Sequence, residues 1–289
     1  MSDEEKWEWQ SVGGAYNQVR LTSWQHFTDF VHSVMLDYDT YIWRGQRCDD
    51  WVLESTIDRL ISDSSNPITK EFSFRSNHLE QFKFAVRGRR GANPPEIKDE
   101  NEWWALGQHH GLSTPLLDWT TSPFVAAYFA FIKQDKNQTS HRAIYALHKP
   151  SVEIKSREIQ AAKEEANRKE KEAIRKGEKS GGFLTEAFLD YPVRPDVEFI
   201  RPLSDENHRL VNQGGLFTRA PDGKPLDDWV GETFTGASDN ILIKILIPDS
   251  DREECLKILN RMNINHLTLF PDLYGASKFC NLFGEIKNY

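Results

Sequence analysis

The sequence predicts an α+β fold: a single domain, residues 1–289, in which strands and helices mix around one sheet and a charged helical insertion interrupts them. Three observations carry this. The run from Ile241 to Ile247 is almost continuously apolar and β-branched, as expected of a strand buried on both faces. Apolar stripes at helical spacing recur on either side of shorter β-prone runs. The two kinds of element do not alternate in a regular βαβ pattern, and neither an internal repeat nor a glycine-rich phosphate loop is present.

In chain order, Thr22 with Gln25 reads as a capping box, and Phe27, Phe30, Val31 and Val34 form the inner stripe of the helix it opens. Tyr41, Ile42 and Trp43 make a short strand that delivers Arg44 and Gly45 to its end. A helix is predicted from about Lys70 to Arg87, with Leu79, Phe82 and Val86 inward and Arg87, Arg89 and Arg90 in a basic loop beyond it. Ser122 followed by Pro123 starts another helix, because serine caps orphan amides and proline suits the first helical position; Phe124, Ala127, Tyr128 and Phe131 are its inner face. Arg142 to Leu147 reads as a strand. From Ser151 to Lys179 Glu, Lys, Arg and Ala dominate in alternating sign, the pattern of a solvated helix closed by Gly181 and Gly182; a partner-binding arm over 151–180 is the alternative. After the Ile241–Ile247 strand, Pro248 stops the chain, and Asp249 or Ser250 caps a helix bearing Cys255, Leu259 and Met262. His266 to Phe270 is expected as a last strand, and Asp272 to Phe283 as a terminal helix.

The composition sets limits. Hydrophobic residues are 38%, charged residues 28% and aromatics 12% of 289 residues, which suits a folded protein with a sizeable core. A net charge of −8 argues against a generic coat for nucleic acid or an anionic membrane. Cys48, Cys255 and Cys280 are odd in number and lack CxxC spacing, against a disulfide framework or a thiolate zinc site. Neither a membrane span nor an apolar signal-peptide core in Met1 to Trp9 is visible, so the cytoplasm is the expected compartment.

Several polar residues follow no helix or strand period. Arg44 sits beside Gly45: a guanidinium grips phosphate or carboxylate through two parallel hydrogen bonds, and a glycine lets a ligand approach the backbone. The competing role for Arg44 is pairing with a carboxylate such as Asp118. His109 and His110 are adjacent and would point to opposite faces of an extended segment, which does not suit one metal; one of them serves as an acid/base or ribose contact, or both are structural. No metal is expected. Thr120 and Ser122, at a helix start after Asp118, would suit a pyrophosphate, or simply cap the helix. Tyr128 would stack on a ligand ring or pack in the core. Gln213, before Gly214 and Gly215, would fix a ligand amide or belong to a turn. Asp272 is a late acid or a helix cap, with Glu198 and Glu232 as other acids among which the sequence does not choose.

Two segments resemble the FRG-domain family. One is Trp43-Arg44-Gly45-Gln46. The other runs from Trp104 through Gln108-His109-His110-Gly111 and Asp118-Trp119-Thr120 to Ala127-Tyr128-Phe129-Ala130, with Pro115 where the family has a basic residue. The segments Arg209 to Phe217 and Leu269 to Gly275 are similar to the family more weakly. The aromatic-Arg-Gly triplet also resembles the opening motif of arginine-class ADP-ribosyltransferases, and Tyr128-Phe129-Ala130 is similar to their second motif. This implies a split sheet flanked by helices and NAD as substrate, with Arg44, Gly45, Gln46, Thr120, Ser122, Tyr128 and Gln213 holding it. The carboxylate for the oxocarbenium-like centre is sought at Asp118 or Asp272, because no Glu-x-Glu stands near the end. The resemblance further implies a toxin or phage-defence role, with a protein or nucleic-acid target. A non-catalytic nucleotide- or partner-binding module and a metal-dependent nuclease using the histidines and Asp118 are the alternatives.

Overall fold

The computed structural model describes residues 6–37, 39–134, 139–177, 189, 192–202, 208–237 and 239–289. Its strands are β1 (Trp7–Gly13), β2 (Tyr16–Leu21), β3 (Tyr41–Gln46), β4 (Leu116–Thr120), β5 (His141–His148), β6 (Glu198–Ile200), β7 (Gly215–Arg219) and β8 (Leu242–Pro248). They form one sheet in the order β1-β2-β8-β5-β3-β4-β7-β6. Among the described residues, only β2 and β8 pair in parallel; every other pairing is antiparallel.

The strand sequences show why both faces are covered. In β8, Ile243, Ile245 and Ile247 join one hydrophobic cluster while Leu242 and Leu246 join the other. In β5, Ile144 and Ala146 face the first cluster, and Ala143, Tyr145 and Leu147 the second. This period of two, apolar on both sides, is what the near-continuous run at 241–247 encodes. On the first face lie α1 (Gln25–Phe30), α5 (Pro123–Phe131), α9 (Arg252–Arg261) and α11 (Leu273–Glu285). On the second lie α8 (Leu226–Thr233) and the start of α6 (Lys149–Arg175). A third cluster joins α2 (Thr56–Asp63), α3 (Phe74–Ala85) and α4 (Glu100–His109) to β4 and β7.

One joint in the sheet is weak. β3 pairs with β5 along its whole length, from Tyr41 with His148 to Gln46 with Ala143. Its other neighbour, β4, meets it at a single register pair, Trp43 with Thr120. Beyond that pair the strands part, and the eight strands form one sheet opened between β3 and β4 rather than a split one.

Several local expectations need correction. Thr22 and Gln25 form no capping box. The Thr22 hydroxyl bonds His26 instead, and the amide of Trp24, at the helix start, donates to the Asp251 carboxylate at 2.7 Å. Neither Asp249 nor Ser250 caps α9: Asp249 pairs with the buried Arg142. His266 to Phe270 is not a strand. Asn265 and Thr268 form a reciprocal capping box that opens a short helix, α10 (His266–Leu269). Asp272 caps α11, accepting from the Gly275 amide at 2.8 Å.

The charged insertion is a long helix, but its first turns are packed. Val152 and Ser156 are buried, and the Ser156 hydroxyl accepts from the Val197 amide at 2.6 Å. The helix gives way at Lys176 and Gly177, the latter at φ 73°; Gly181 and Gly182 lie outside the described residues. The β1–β2 hairpin carried no sequence expectation, since its outer strand alternates little and is mostly exposed.

Candidate functional site

A cleft of about 450 Å³ opens where β3 and β4 part. Arg44, Gly45 and Gln46 form one wall, and Asp118, Trp119 and Thr120 the other. Arg47 and Trp51 come from the loop after β3, Arg59 from α2, and Gln108 and His109 from the end of α4. Phe129, Lys133, Arg209, Gln213 and Phe270 complete it, with Arg209 on a further short helix, α7 (His208–Asn212).

Charge in this cleft is one-sided. Among the described residues, Arg44, Arg47, Arg59, Lys133 and Arg209 line it, Arg209 paired with Asp272 from outside, against the single lining carboxylate of Asp118, although the whole chain carries −8. Clustered cations around a concave surface raise the local concentration of anions.

Arg44 is the centre of the arrangement. Strand alternation puts it with Ile42 and Gln46 on the second face, not with Trp43. Its Nη1 donates to the main-chain carbonyl of Asp118 at 2.7 Å and lies 3.6 Å from that residue's carboxylate. The side chain is 18% exposed, and its Nε is buried without a partner. Burial pushes its pKa down while the Asp118 charge pushes it back up. Neither of the two roles weighed for Arg44 excludes the other: it bridges the split and still presents donors to the cleft. Asp118 is 63% exposed at its side chain and is oriented by Gln108 Nε2 at 3.0 Å. Gln46 is 5% exposed; its Nε2 donates to the Val52 carbonyl at 3.3 Å, and its Oε1 is a second buried atom without a partner.

Gly45 has a different purpose from the one expected. A Cβ built there would lie 1.9 Å from the Ala126 carbonyl oxygen and 2.6 Å from the Ala130 amide nitrogen. The glycine lets α5 lie directly on β3, so it is helix packing that demands it, though its backbone also lines the cleft.

The remaining expected site residues divide. His109 lines the cleft, whereas His110, at the C-cap of α4, does not; the pair ends a helix rather than occupying an extended segment. Thr120 lines the cleft, but its hydroxyl donates to the Gln213 carbonyl at 2.6 Å. Gln213 lines it too, with its amide donating to the Leu269 carbonyl at 3.1 Å. Ser122 lies outside the cleft and caps α5, accepting from the Val125 amide at 3.3 Å. Tyr128 is fully buried and hydrogen-bonded to His266, whose pKa burial lowers to about 4; it is a core residue, not a stacking surface. Asp272 is outside the cleft and holds Arg209 through both Nε and Nη2. Glu198 accepts from Asn101, and Glu232 pairs with Lys224, both away from the cleft.

Arg47, Trp51, Arg59 and Lys133 were missed by sequence reasoning. Arg47 had a signal, being the third residue after Arg44. Arg59 and Lys133 follow no local pattern and reach the cleft only through the fold.

Taken together, the molecule is an α+β protein with one opened mixed sheet and a cation-lined cleft at the opening. Residues 39–139 match the family model of the FRG domain. The matched segment supplies β3, β4, α4, α5 and most of the cleft wall. No curated protein and no solved structure matches the chain. No helix among the described residues is long and apolar enough to cross a membrane.

Proposed function

We propose that the cleft binds NAD and that the protein is an ADP-ribosyltransferase-type or NAD-cleaving enzyme. The observation that carries this is that, among the described lining residues, five cations face one carboxylate in about 450 Å³ at the sheet opening. A space of that size suits a small organic ligand, and the charge suits one bearing phosphates. Arg44, its Nη1 fixed on the Asp118 carbonyl and its side chain 18% exposed in the cleft lining, grips the pyrophosphate together with its basic neighbours.

The chemistry asked of the site is modest. The C1′–N bond of the nicotinamide ribose breaks, its electron pair leaves with nicotinamide, and positive charge develops at C1′. The Asp118 carboxylate, held by Gln108, stabilises that charge. An acceptor hydroxyl, amine or water then attacks C1′, and His109, also in the cleft lining, takes its proton. No electron changes hands and no metal is required. Unregulated NAD consumption harms the cell that hosts it, which is how a toxin or phage-defence role fits.

The test is incubation of purified protein with NAD, with and without EDTA, followed by chromatography. Release of nicotinamide that survives the chelator supports the reading. NAD binding without turnover would make the domain a non-catalytic module, and activity lost to EDTA but restored by a divalent metal would overturn the metal-free mechanism.

A further inference from the structure

The loop between β3 and α2 is fixed by several hydrogen bonds from the body of the fold, although Asp50, Trp51 and Val52 along it are exposed. Tyr145 donates its hydroxyl to the Trp51 carbonyl at 2.9 Å, and Gln46 donates to the Val52 carbonyl at 3.3 Å. The Asp227 carboxylate accepts from the Leu53 amide at 2.9 Å, and the Lys244 ammonium donates to the Asp49 carbonyl. Two of these anchors are expensive to bury: burial pushes the Asp227 carboxyl up and the Lys244 ammonium down. Yet Trp51, which this scaffold holds still, is 40% exposed and lines the cleft.

The other cleft rings are already engaged. Phe270 stacks on His266 at 4.9 Å and lies under the Arg209 guanidinium at 5.3 Å. Phe129 packs edge-on against Tyr128 and Phe270. Trp43 and Trp119 are buried in the sheet. Trp51 therefore offers the accessible indole, on a loop positioned before any ligand arrives.

We infer that Trp51 is the stacking platform for the adenine base of the bound nucleotide, with Arg47 fixing the indole from its other side. This rests on the NAD reading of the cleft and adds which end of the ligand lies where. Arg47 sits 4.9 Å over the Trp51 ring. A permanent cation at that position repels the positively charged nicotinamide ring and tolerates neutral, electron-rich adenine. The nicotinamide end is thereby directed toward Asp118.

Calorimetric titration of wild type, Trp51→Ala and Trp51→Phe with NAD, ADP, nicotinamide mononucleotide and inorganic pyrophosphate tests this. Loss of one stacked base weakens binding roughly tenfold, so Trp51→Ala should show that loss for NAD and ADP, with the mononucleotide and pyrophosphate unchanged. Trp51→Phe should recover most of it. Unchanged ADP and NAD affinity in Trp51→Ala overturns the platform and leaves the NAD reading standing. A loss for the mononucleotide equal to that for ADP puts nicotinamide on the indole instead. A loss for pyrophosphate equal to that for ADP makes Trp51 a shaping residue rather than a stacking one. Failure of wild type to bind NAD removes the NAD reading and this inference with it.

Discussion

The Arg44 guanidinium donates at 2.7 Å to the main-chain carbonyl of Asp118, across the place where β3 and β4 cease to pair. A side chain thus takes over where ladder hydrogen bonds stop. At the opening, Gly45, the next residue, lies against α5, and the Asp118 carboxylate is mostly exposed. One strand residue therefore braces the sheet and presents charge to the cleft.

The packing role of Gly45 gives the first prediction. Gly45→Ala forces α5 away from β3, because backbone atoms of Ala126 and Ala130 cannot move aside as a flexible side chain can. Overpacking of this kind costs about 1–3 kcal/mol or more. A thermal melt should show a midpoint lowered by several degrees or no cooperative transition; an unchanged midpoint would mean that the helix does not sit on the glycine.

Asp118→Asn separates binding from chemistry. The bond that holds Arg44 goes to the main chain and survives, and the carboxylate is mostly exposed, so the fold should be unaffected. NAD binding should persist, since removing a negative charge does not weaken an anion site. Turnover should fall by about 10²–10³ if the carboxylate stabilises developing positive charge. Full activity in the variant would move the catalytic acid elsewhere.

The charged helix divides at about its middle. Ser156→Ala leaves the buried Val197 amide without its acceptor, at about 1–3 kcal/mol. Trimming the helix beyond Glu165 should leave the melt unchanged, because that stretch is largely exposed. Replacing the whole of 151–177 by a linker should therefore destabilise the protein, in contrast to what its composition suggests. Comparing the three melts decides this.

Acid should act through Glu100. Burial alone would raise its pKa, but the Arg194 and Arg219 guanidiniums override that and hold it down to about 2. A folded-state pKa below the unfolded one contributes stability above the unfolded pKa that is lost as pH falls toward 2. The carboxylate is partly exposed, so after solvent screening the pair contributes about 1 kcal/mol or less. Glu100→Gln should melt slightly below wild type at pH 7, and the gap should narrow as pH falls below the ordinary carboxylate range and close near pH 2. A gap that widens in acid would refute the pairing.

How much of this the sequence disclosed depended on whether the signal was local. The strands at 142–147 and 241–247 and the Ser122–Pro123 helix start were legible because periodicity and capping act within a few residues. Arg44 was legible because Arg-Gly at a strand has few other uses. Tyr128 was ambiguous, its place on the helix stripe fitting a core residue and a ligand contact equally; the structure decides for the core. The stretch at 266–270 misled because alternating Leu, Thr and Phe mimic a strand, while the Asn265–Thr268 capping box that makes a helix uses only polar groups. Arg59, Lys133 and Trp51 could not be read at all, since only the tertiary fold brings them beside Arg44.

The central claim is that Arg44 grips a nucleotide phosphate as a planar fork. Calorimetric titration of NAD into wild type and Arg44→Lys tests it most directly. Lysine keeps the charge but loses the fork, and one charge-assisted hydrogen bond is worth about 1.5–3 kcal/mol. NAD affinity should therefore fall roughly ten- to a hundred-fold, with a thermal melt showing that the variant is still folded. Equal NAD affinity in the two proteins, or none in wild type, would contradict the account.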